Sequence, residues 1–284
     1  YILGMMCLSG TVSAQTTVNY TEFEQKVLDY SQTLKQSVSQ RTAMQKAMKA
    51  AKTAFFPAVD ATGSYQYRIN KYDMDFGGMA VPMEHDSYSA EVGVVQPIYA
   101  GGSIYHTYKA SQIQSQIADK SVDLTTDNLI YAAEASYWGT AAQKEMYKTM
   151  CQYVEIISQL TKVLQDKYDD GYISKTDLIQ MQTRLKEAEL QRSSSYQSYQ
   201  IALQNMNVLM GLEPDKEVGL VDSIFVELPL PAYVGADAAL NVRPDYAISQ
   251  LDVDYQKRQV KLAAAKYNPS LSIGFKETWG TQML

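Results

Sequence analysis

The chain has 284 residues, 31 acidic against 25 Lys and Arg, a formal charge of −6 and an isoelectric point near 5.1. An acidic chain offers no basic field to nucleic acid, which is excluded as a partner. Hydrophobic content of 46% suits a folded protein, yet no run reaches the ~18 apolar residues of a membrane-spanning helix, so any passage through a bilayer falls to strands.

In chain order, Tyr1 to Ser9 is apolar and uncharged, and Val12-Ser13-Ala14 before Gln15 has the small-x-small form of a signal-peptidase site. Residues 1–14 therefore read as the remnant of a secretory signal peptide that lacks its start Met and positive front. Cys7 leaves with it, and Met6 before it argues against a lipoprotein, where that residue is normally small. Cys151 is then alone, which excludes an internal disulfide, offers no metal cluster and reads as a small apolar residue on a helix face.

Residues 22–56 read as a helix after Thr21 as N-cap, stopped by Pro57, which cannot continue the hydrogen-bond ladder. The period then changes from helical to alternating. Over 58–70, Val59, Ala61, Gly63, Tyr65, Tyr67 and Ile69 alternate with Asp60, Thr62, Ser64, Gln66 and Arg68. Over 87–99, Tyr88, Ala90, Val92, Val94 and Ile98 share one face and Ser89, Glu91 and Gly93 the other. The two runs make an antiparallel hairpin with a long loop from Tyr72 to Asp86. A soluble sheet exposed on one side gives the same alternation; ten or more residues per run, with tyrosines near the ends, favour lipid.

Pro97 and Gly101-Gly102 end the second strand. The next element is a helix over 103–168, broken in composition only by Gly139 and about 100 Å long at ~1.5 Å per residue. No compact core has that length, so its partners are other long helices. Met146, Met150, Tyr153, Ile157, Leu160 and Leu164 recur at coiled-coil spacing. A tip turn over 169–174 leads to a helix over 175–210, with Ser174 as N-cap and Leu178, Met181, Leu185 and Ala188 continuing the spacing. Arg192 and Ser195 interrupt that seam with polar residues before Tyr199, Ala202, Met206 and Leu209 resume it. Residues 211–242, with Pro214, Pro229 and Pro231, read as a non-membrane belt with a short strand at Leu220 to Leu228. A third helix over 243–268 opens at Arg243-Pro244-Asp245 and stops at Pro269, before a strand over 270–280.

The segment after Pro269 repeats the one after Pro57: Val59/Ala61 match Leu271/Ile273 at a separation of about 212 residues, the mark of a tandem repeat. On this reading 15–242 form a first repeat and 243–284 the start of a second whose remainder is missing. Several motifs stand in fixed order: the helix end before Pro57, Gln96-Pro97-Ile98-Tyr99-Ala100-Gly101-Gly102, Gly171-Tyr172-Ile173-Ser174-Lys175-Thr176-Asp177-Leu178, Leu209-Met210-Gly211, Arg243-Pro244-Asp245 and Asn268-Pro269-Ser270. Together they resemble the TolC-like outer-membrane efflux family, the outer-membrane factors of tripartite efflux and type I secretion systems.

That resemblance implies a mainly α fold with β. Long α-helical hairpins would form a periplasmic α-barrel, and membrane β-hairpins would contribute to a trimeric 12-stranded β-barrel in the outer membrane of a Gram-negative bacterium. It implies a passive exit duct whose energy comes from an inner-membrane pump of RND, ABC or MFS type through a periplasmic adaptor, with outer-membrane lipid around the barrel. The turn Asp170, Gly171, Tyr172 and Ile173 matches the adaptor-docking tip, and Thr176 and Asp177 match residues that help close the periplasmic entrance. Asp177 has a local role to play as well, since carboxylates are favoured in a first helical turn. Asp60, Gln66, Arg68 and Glu91 would line the barrel lumen and keep it wet. No phosphate-binding loop, nucleophile elbow or zinc-ligand spacing is present, so neither enzyme activity nor a cofactor is expected. His85 and His106 read as solvated surface residues. A non-membrane periplasmic coiled-coil scaffold or adaptor protein would account for 103–210, but not for two helices that each end at a proline and pass into a strand.

Overall fold

A computed structural model describes residues 16–67, 69, 73–82, 86–225, 232–233 and 235–280. The expected signal remnant over 1–14, Arg68 and His85 lie outside these residues. The elements are, in order, β1 (Thr16–Val18), α1 (Tyr20–Tyr30), α2 (Gln32–Thr53), β2 (Ala58–Tyr67), β3 (Asp73–Phe76), β4 (Met79–Pro82), β5 (Asp86–Ala100), α3 (Ser103–Asp169), α4 (Lys175–Leu209), β6 (Val218–Leu220), α5 (Ala236–Val242), α6 (Pro244–Ala265) and β7 (Ser270–Gly280). They fall into two compact units: one takes the chain up to Gln36 and Asp123–Gly235, the other Ser37–Val122 and the chain from Ala236.

In the first unit, α1 is capped by Asn19 rather than Thr21. Asn19 is extended, and its side chain accepts the Glu22 N–H at 2.8 Å, while Thr21 already lies inside the helix. The single helix expected over 22–56 is two helices. The Ser31 N–H donates to the Val27 carbonyl at 3.0 Å, closing α1, and its hydroxyl accepts the Leu34 N–H at 3.2 Å, opening α2. One serine therefore satisfies orphan backbone groups of both helix ends.

The core of this unit gathers five elements: Val18, Phe23 and Val27 from β1 and α1, Ala133, Tyr137 and Ala141 from α3, Leu203 and Met206 from α4 with Met210 at its C-cap, and Val218 and Leu220 from β6. The small Ala133 and Ala141, one turn to either side of Tyr137, let neighbouring backbones approach the ring. β1 runs parallel to β6, with Thr16 opposite Val218 and Val18 opposite Leu220, so the belt strand ends at Leu220, where the expected one over Leu220 to Leu228 was to begin; residues 221–225 are not strand and 226–228 lie outside the described residues. Each large side chain buried here contributes on the order of 1.5–3 kcal/mol. Most polar groups in the core are paired; the buried Asn207 amide donates to the Pro214 and Lys216 carbonyls, while its Oδ1 has no partner among the described residues. The Tyr137 hydroxyl lies 2.7 Å from Asp222 Oδ2 and 3.1 Å from the Val18 carbonyl, and the same carboxylate accepts the Tyr20 N–H at 2.8 Å. Burial, then the Asp222 carboxylate, pushes the Tyr137 pKa well above the ordinary phenol value; burial, then Glu24, pushes Tyr20 up to about 12.

Residues 123–169 of α3 face α4 in the helical hairpin, where Met150, Ile157 and Leu164 of the expected seam are half-buried, but the alternate seam positions are turned by one residue. Val154 is buried, whereas Met146, Tyr153 and Leu160 are exposed. On α4 Leu178, Ala188 and Met206 are buried, and Met181 and Leu185 half-buried, in the expected register. The offset arises because α3 is apolar on more than one face: Ile156 and Val163, beside the expected seam, are exposed too.

In the second unit β2, β5 and β7 form an antiparallel sheet in the order β2-β5-β7. Helices α2 and α6 end at Thr53 and Ala265, short of the prolines at 57 and 269. After α6 the bonds from Lys266, Tyr267 and Asn268 to carbonyls three residues back tighten the exit. Within the expected long loop, β3 and β4 form a small hairpin turned by Gly77 and Gly78, both at positive φ.

Candidate functional site

Three strands give the sheet two chemically distinct faces. One carries Asp60, Thr62, Ser64 and Gln66 of β2, opposite Gly93, Glu91, Ser89 and Ser87 of β5, with Lys276 and Thr278 of β7 beyond. The hydroxyls of Ser64 and Ser89 lie 2.8 Å apart, and the Lys276 ammonium pairs with Glu91 at 2.8 Å. Asp60 lies against Gly93, where a Cβ would come within 3.0 Å of its carboxylate. Three of the lumen candidates, Asp60, Gln66 and Glu91, thus share one face, and Arg68 lies outside the described residues. The opposite face carries Val59, Ala61, Tyr65 and Tyr67, then Val94, Val92, Ala90 and Tyr88, then Phe275 and Trp279, interrupted by Glu277 opposite Val92. A bulge at Ile98 brings Tyr99 opposite Leu271 on the apolar face. Lys276 was absent from the sequence candidates, although alternation from Leu271 and Ile273 places it on the polar side.

The sheet is unlike that of a soluble domain. Every residue of β2 and β7 is exposed, the aromatic and aliphatic ones included, and β2 and β7 are unpaired at their outer edges among the described residues. Such a surface and such edges call for lipid on one face and further strands at the ends.

In the other unit, the hairpin tip is a tight helix stop. The Gly171 N–H donates to the Tyr168 carbonyl at 2.9 Å and the Tyr172 N–H to the Lys167 carbonyl at 2.8 Å, with Gly171 at φ +77°. Asp170 is exposed and donates its N–H to Asp166, Tyr172 is largely exposed, and Ile173 is half-buried. Ser174 then starts α4 with a reciprocal cap. Its hydroxyl accepts the Asp177 N–H at 3.2 Å, while Asp177 Oδ2 lies 2.7 Å from that hydroxyl and 3.3 Å from the Ser174 N–H. The Asp177 carboxylate is thus already engaged within its own turn. Thr176 is exposed and makes no side-chain hydrogen bond among the described residues.

His106 departs from the solvated role expected of it. Its Nδ1 is shielded from solvent and has no partner among the described residues. Burial, then the charges of Arg258 and Lys261, lowers its pKa below the ordinary 6.5. No group of three or more potential metal ligands occurs among the described residues, and no described helix is long and apolar enough to cross a membrane.

An antiparallel sheet with one polar and one lipid-compatible face, joined to helices of coiled-coil length, defines a β-barrel membrane channel with a helical extension. Residues 24–212 match the family of outer membrane efflux proteins, and the chain belongs to that family, placed in the outer membrane of a Gram-negative bacterium with a helical periplasmic part. No curated protein sequence matches the chain. Among solved structures, the fold is similar to the outer membrane protein VceC of Vibrio cholerae, with TM-score 0.74 and 13% identity over 92% of this chain and 62% of that one. The Campylobacter jejuni CmeC outer membrane channel gives 0.74 and 13% over 98% and 66%. CusC, described for its folding and transmembrane channel formation, gives 0.78 and 12% over 99% and 64%. The chain spans just under two thirds of the length of these proteins.

Proposed function

We propose that the complete protein is a passive outer-membrane exit duct with no catalytic site. Three copies would each contribute four strands to one barrel and their helices to a periplasmic tunnel. An inner-membrane pump of RND, ABC or MFS type would supply the energy through a periplasmic adaptor docked at Asp170–Ile173, and Thr176 and Asp177 would sit at the entrance. Asp60, Gln66 and Glu91, with Lys276 paired to Glu91, would wet the lumen. The observation that carries this reading is the sheet β2-β5-β7, fully exposed on β2 and β7, apolar on one face, polar on the other and, among the described residues, open at both edges. Closing such strands into a ring satisfies the edges, and rotational symmetry is the economical way to do it. Fractionation of cells expressing the complete gene tests the reading. Heat-modifiable trimers in the outer membrane are expected; a monomer released with the periplasm would overturn it.

A further inference from the structure

Just beyond the sheet, α3 and α6 enclose an open groove of about 610 Å³, within the ~300–1,000 Å³ usual for small-molecule sites. Its lining is the reverse of the chain's acidic character: Lys109, Lys257, Arg258 and Lys261 face a single carboxylate, Asp254. Lys257 is tied to Asp254 at 2.9 Å and Lys109 to Gln112 Oε1 at 3.0 Å. Arg258 and Lys261 have no hydrogen-bond or ion-pair partner among the described residues, and their charges bear on His106, whose buried Nδ1 also lacks one. Four cations against one carboxylate leave the groove net positive, and an anion would relieve the repulsion among them.

Position points to the kind of anion. Lys109 follows Gly102 by seven residues, and Lys261 and Arg258 precede Pro269 by eight and eleven, so they lie about 10–17 Å along their helices from the strand ends at ~1.5 Å per residue. On α3, Tyr105, Lys109, Gln112 and Gln116 succeed one another at helical spacing along a single stripe. Tyr105 shares a depression with Ile98 and Tyr99, on the apolar side of the sheet. The groove therefore opens on the side that faces lipid. A headgroup layer of roughly 5–8 Å per leaflet lies between the strand ends and the cations, and Lys and Arg side chains extend toward such a layer while their stems pack on the helix.

We propose that the α3–α6 groove binds the phosphate of an anionic phospholipid headgroup of the periplasm-facing leaflet, with Arg258 and Lys261 as the principal contacts and Lys109 and Lys257 beside them. The site anchors the channel at its membrane boundary. It rests on the reading of the sheet as part of a membrane barrel.

The test uses the complete protein purified in detergent, with phosphatidylglycerol, phosphatidylethanolamine or inorganic phosphate added, read by thermal melting and native mass spectrometry. Phosphatidylglycerol should raise the melting temperature and remain bound; phosphatidylethanolamine and inorganic phosphate at matched concentration should not. The double variant Arg258→Gln/Lys261→Gln should bind phosphatidylglycerol about thirty-fold more weakly, since each cation near an anionic surface is worth roughly a factor of five. The charge-preserving Arg258→Lys/Lys261→Arg should retain most of the binding, and Lys186→Gln, which removes a cation from another part of the chain, should change nothing. Equal stabilisation by both lipids, equal stabilisation by free phosphate, or full binding by the glutamine variant would each overturn the proposal. So would loss of trimers in the glutamine variant without any response to lipid, which would assign the groove to carboxylates of a second copy. If the protein forms no outer-membrane trimer at all, the barrel reading fails; if it does and shows no anionic preference, only this inference fails.

Discussion

Asp177→Ala separates two roles that one carboxylate can hold. In the structure Asp177 Oδ2 closes a capping box on Ser174, at 2.7 Å from its hydroxyl and 3.3 Å from its N–H. Truncation removes that cap at a cost of about 1 kcal/mol to the start of α4. As a gate residue, Asp177 would also hold charge pairs or hydrogen bonds to another part of the assembly, each worth about 0.5–1 kcal/mol at an exposed site. Three copies opening together would lose about 1.5–3 kcal/mol, or roughly ten- to a hundredfold in the open-to-closed ratio. Single-channel recording of the complete protein in planar bilayers measures that ratio. Ser174→Ala is the control, because it breaks the same box and leaves the charge in place. A large rise in opening is expected for Asp177→Ala and Asp177→Asn and a small one for Ser174→Ala. Equal rises in all three would assign gating to the stability of the turn, and no rise for Asp177→Ala would remove the residue from the gate.

Tyr137→Phe should lower stability to urea by about 1.5–3 kcal/mol, because its hydroxyl lies 2.7 Å from a partly buried carboxylate and hydrogen bonds to charged groups are the stronger kind. Gly211→Ala should be far worse than Gly171→Ala in thermal melting. Both glycines have positive φ, a cost of about 1–2 kcal/mol to alanine, but only at Gly211 would the new Cβ strike the Tyr30 ring, while at Gly171 it meets open space. Adding Tyr30→Ala should restore part of the Gly211→Ala loss. At alkaline pH the first unit should loosen before the tyrosines of the folded state ionise. Unfolded tyrosines lose their protons near pH 10, whereas Tyr20 holds its proton to about 12 and Tyr137 beyond, so this contribution is complete below pH 10 and falls as pH rises from there. A melting series from pH 8 to 12 should be flat and then decline; Tyr20→Phe/Tyr137→Phe should flatten the decline.

Periodicity carried the legible part of this fold. Alternation over Val59–Tyr67 and Tyr88–Val94 located two strands and sorted Asp60, Gln66 and Glu91 onto one face, because a strand's period of two is decided by neighbours in sequence. The break at Ser31 was invisible for the opposite reason. Serine caps two helices there by hydrogen bonds, with no proline or glycine to mark the change. The pairing of Thr16–Val18 with Val218–Leu220 joins segments about 200 residues apart, and three residues show no period. On α3 the seam is right at Met150, Ile157 and Leu164 and off by one residue at Met146, Tyr153 and Leu160, because Tyr153, Ile156, Leu160 and Val163 supply apolar side chains to more than one face. Of the candidate site, the tip turn could be read from Gly171, and the capping box from Ser174 and Asp177.

The strand-to-helix junction after β5 and the helix-to-strand junction before β7 together account for a pair of motifs that looked independent. Gly101 ends β5 at φ +62°, and a Cβ there would lie 2.5 Å from the Ala265 carbonyl oxygen and 2.9 Å from the Asn268 Cβ. The Gly101 carbonyl accepts the Asn268 side-chain amide at 3.0 Å. The glycine of one junction therefore makes room for the asparagine of the other, and their hydrogen bond sits where β5 and β7 begin to pair, at Ala100 opposite Ser270. A strand slipped by one residue would turn its apolar face to water and its polar face to lipid. Fixing the register at this junction protects the orientation of Glu91 and Lys276 up to about nine residues further along, and it does so with a side chain and a backbone that lie outside the lipid-crossing run itself.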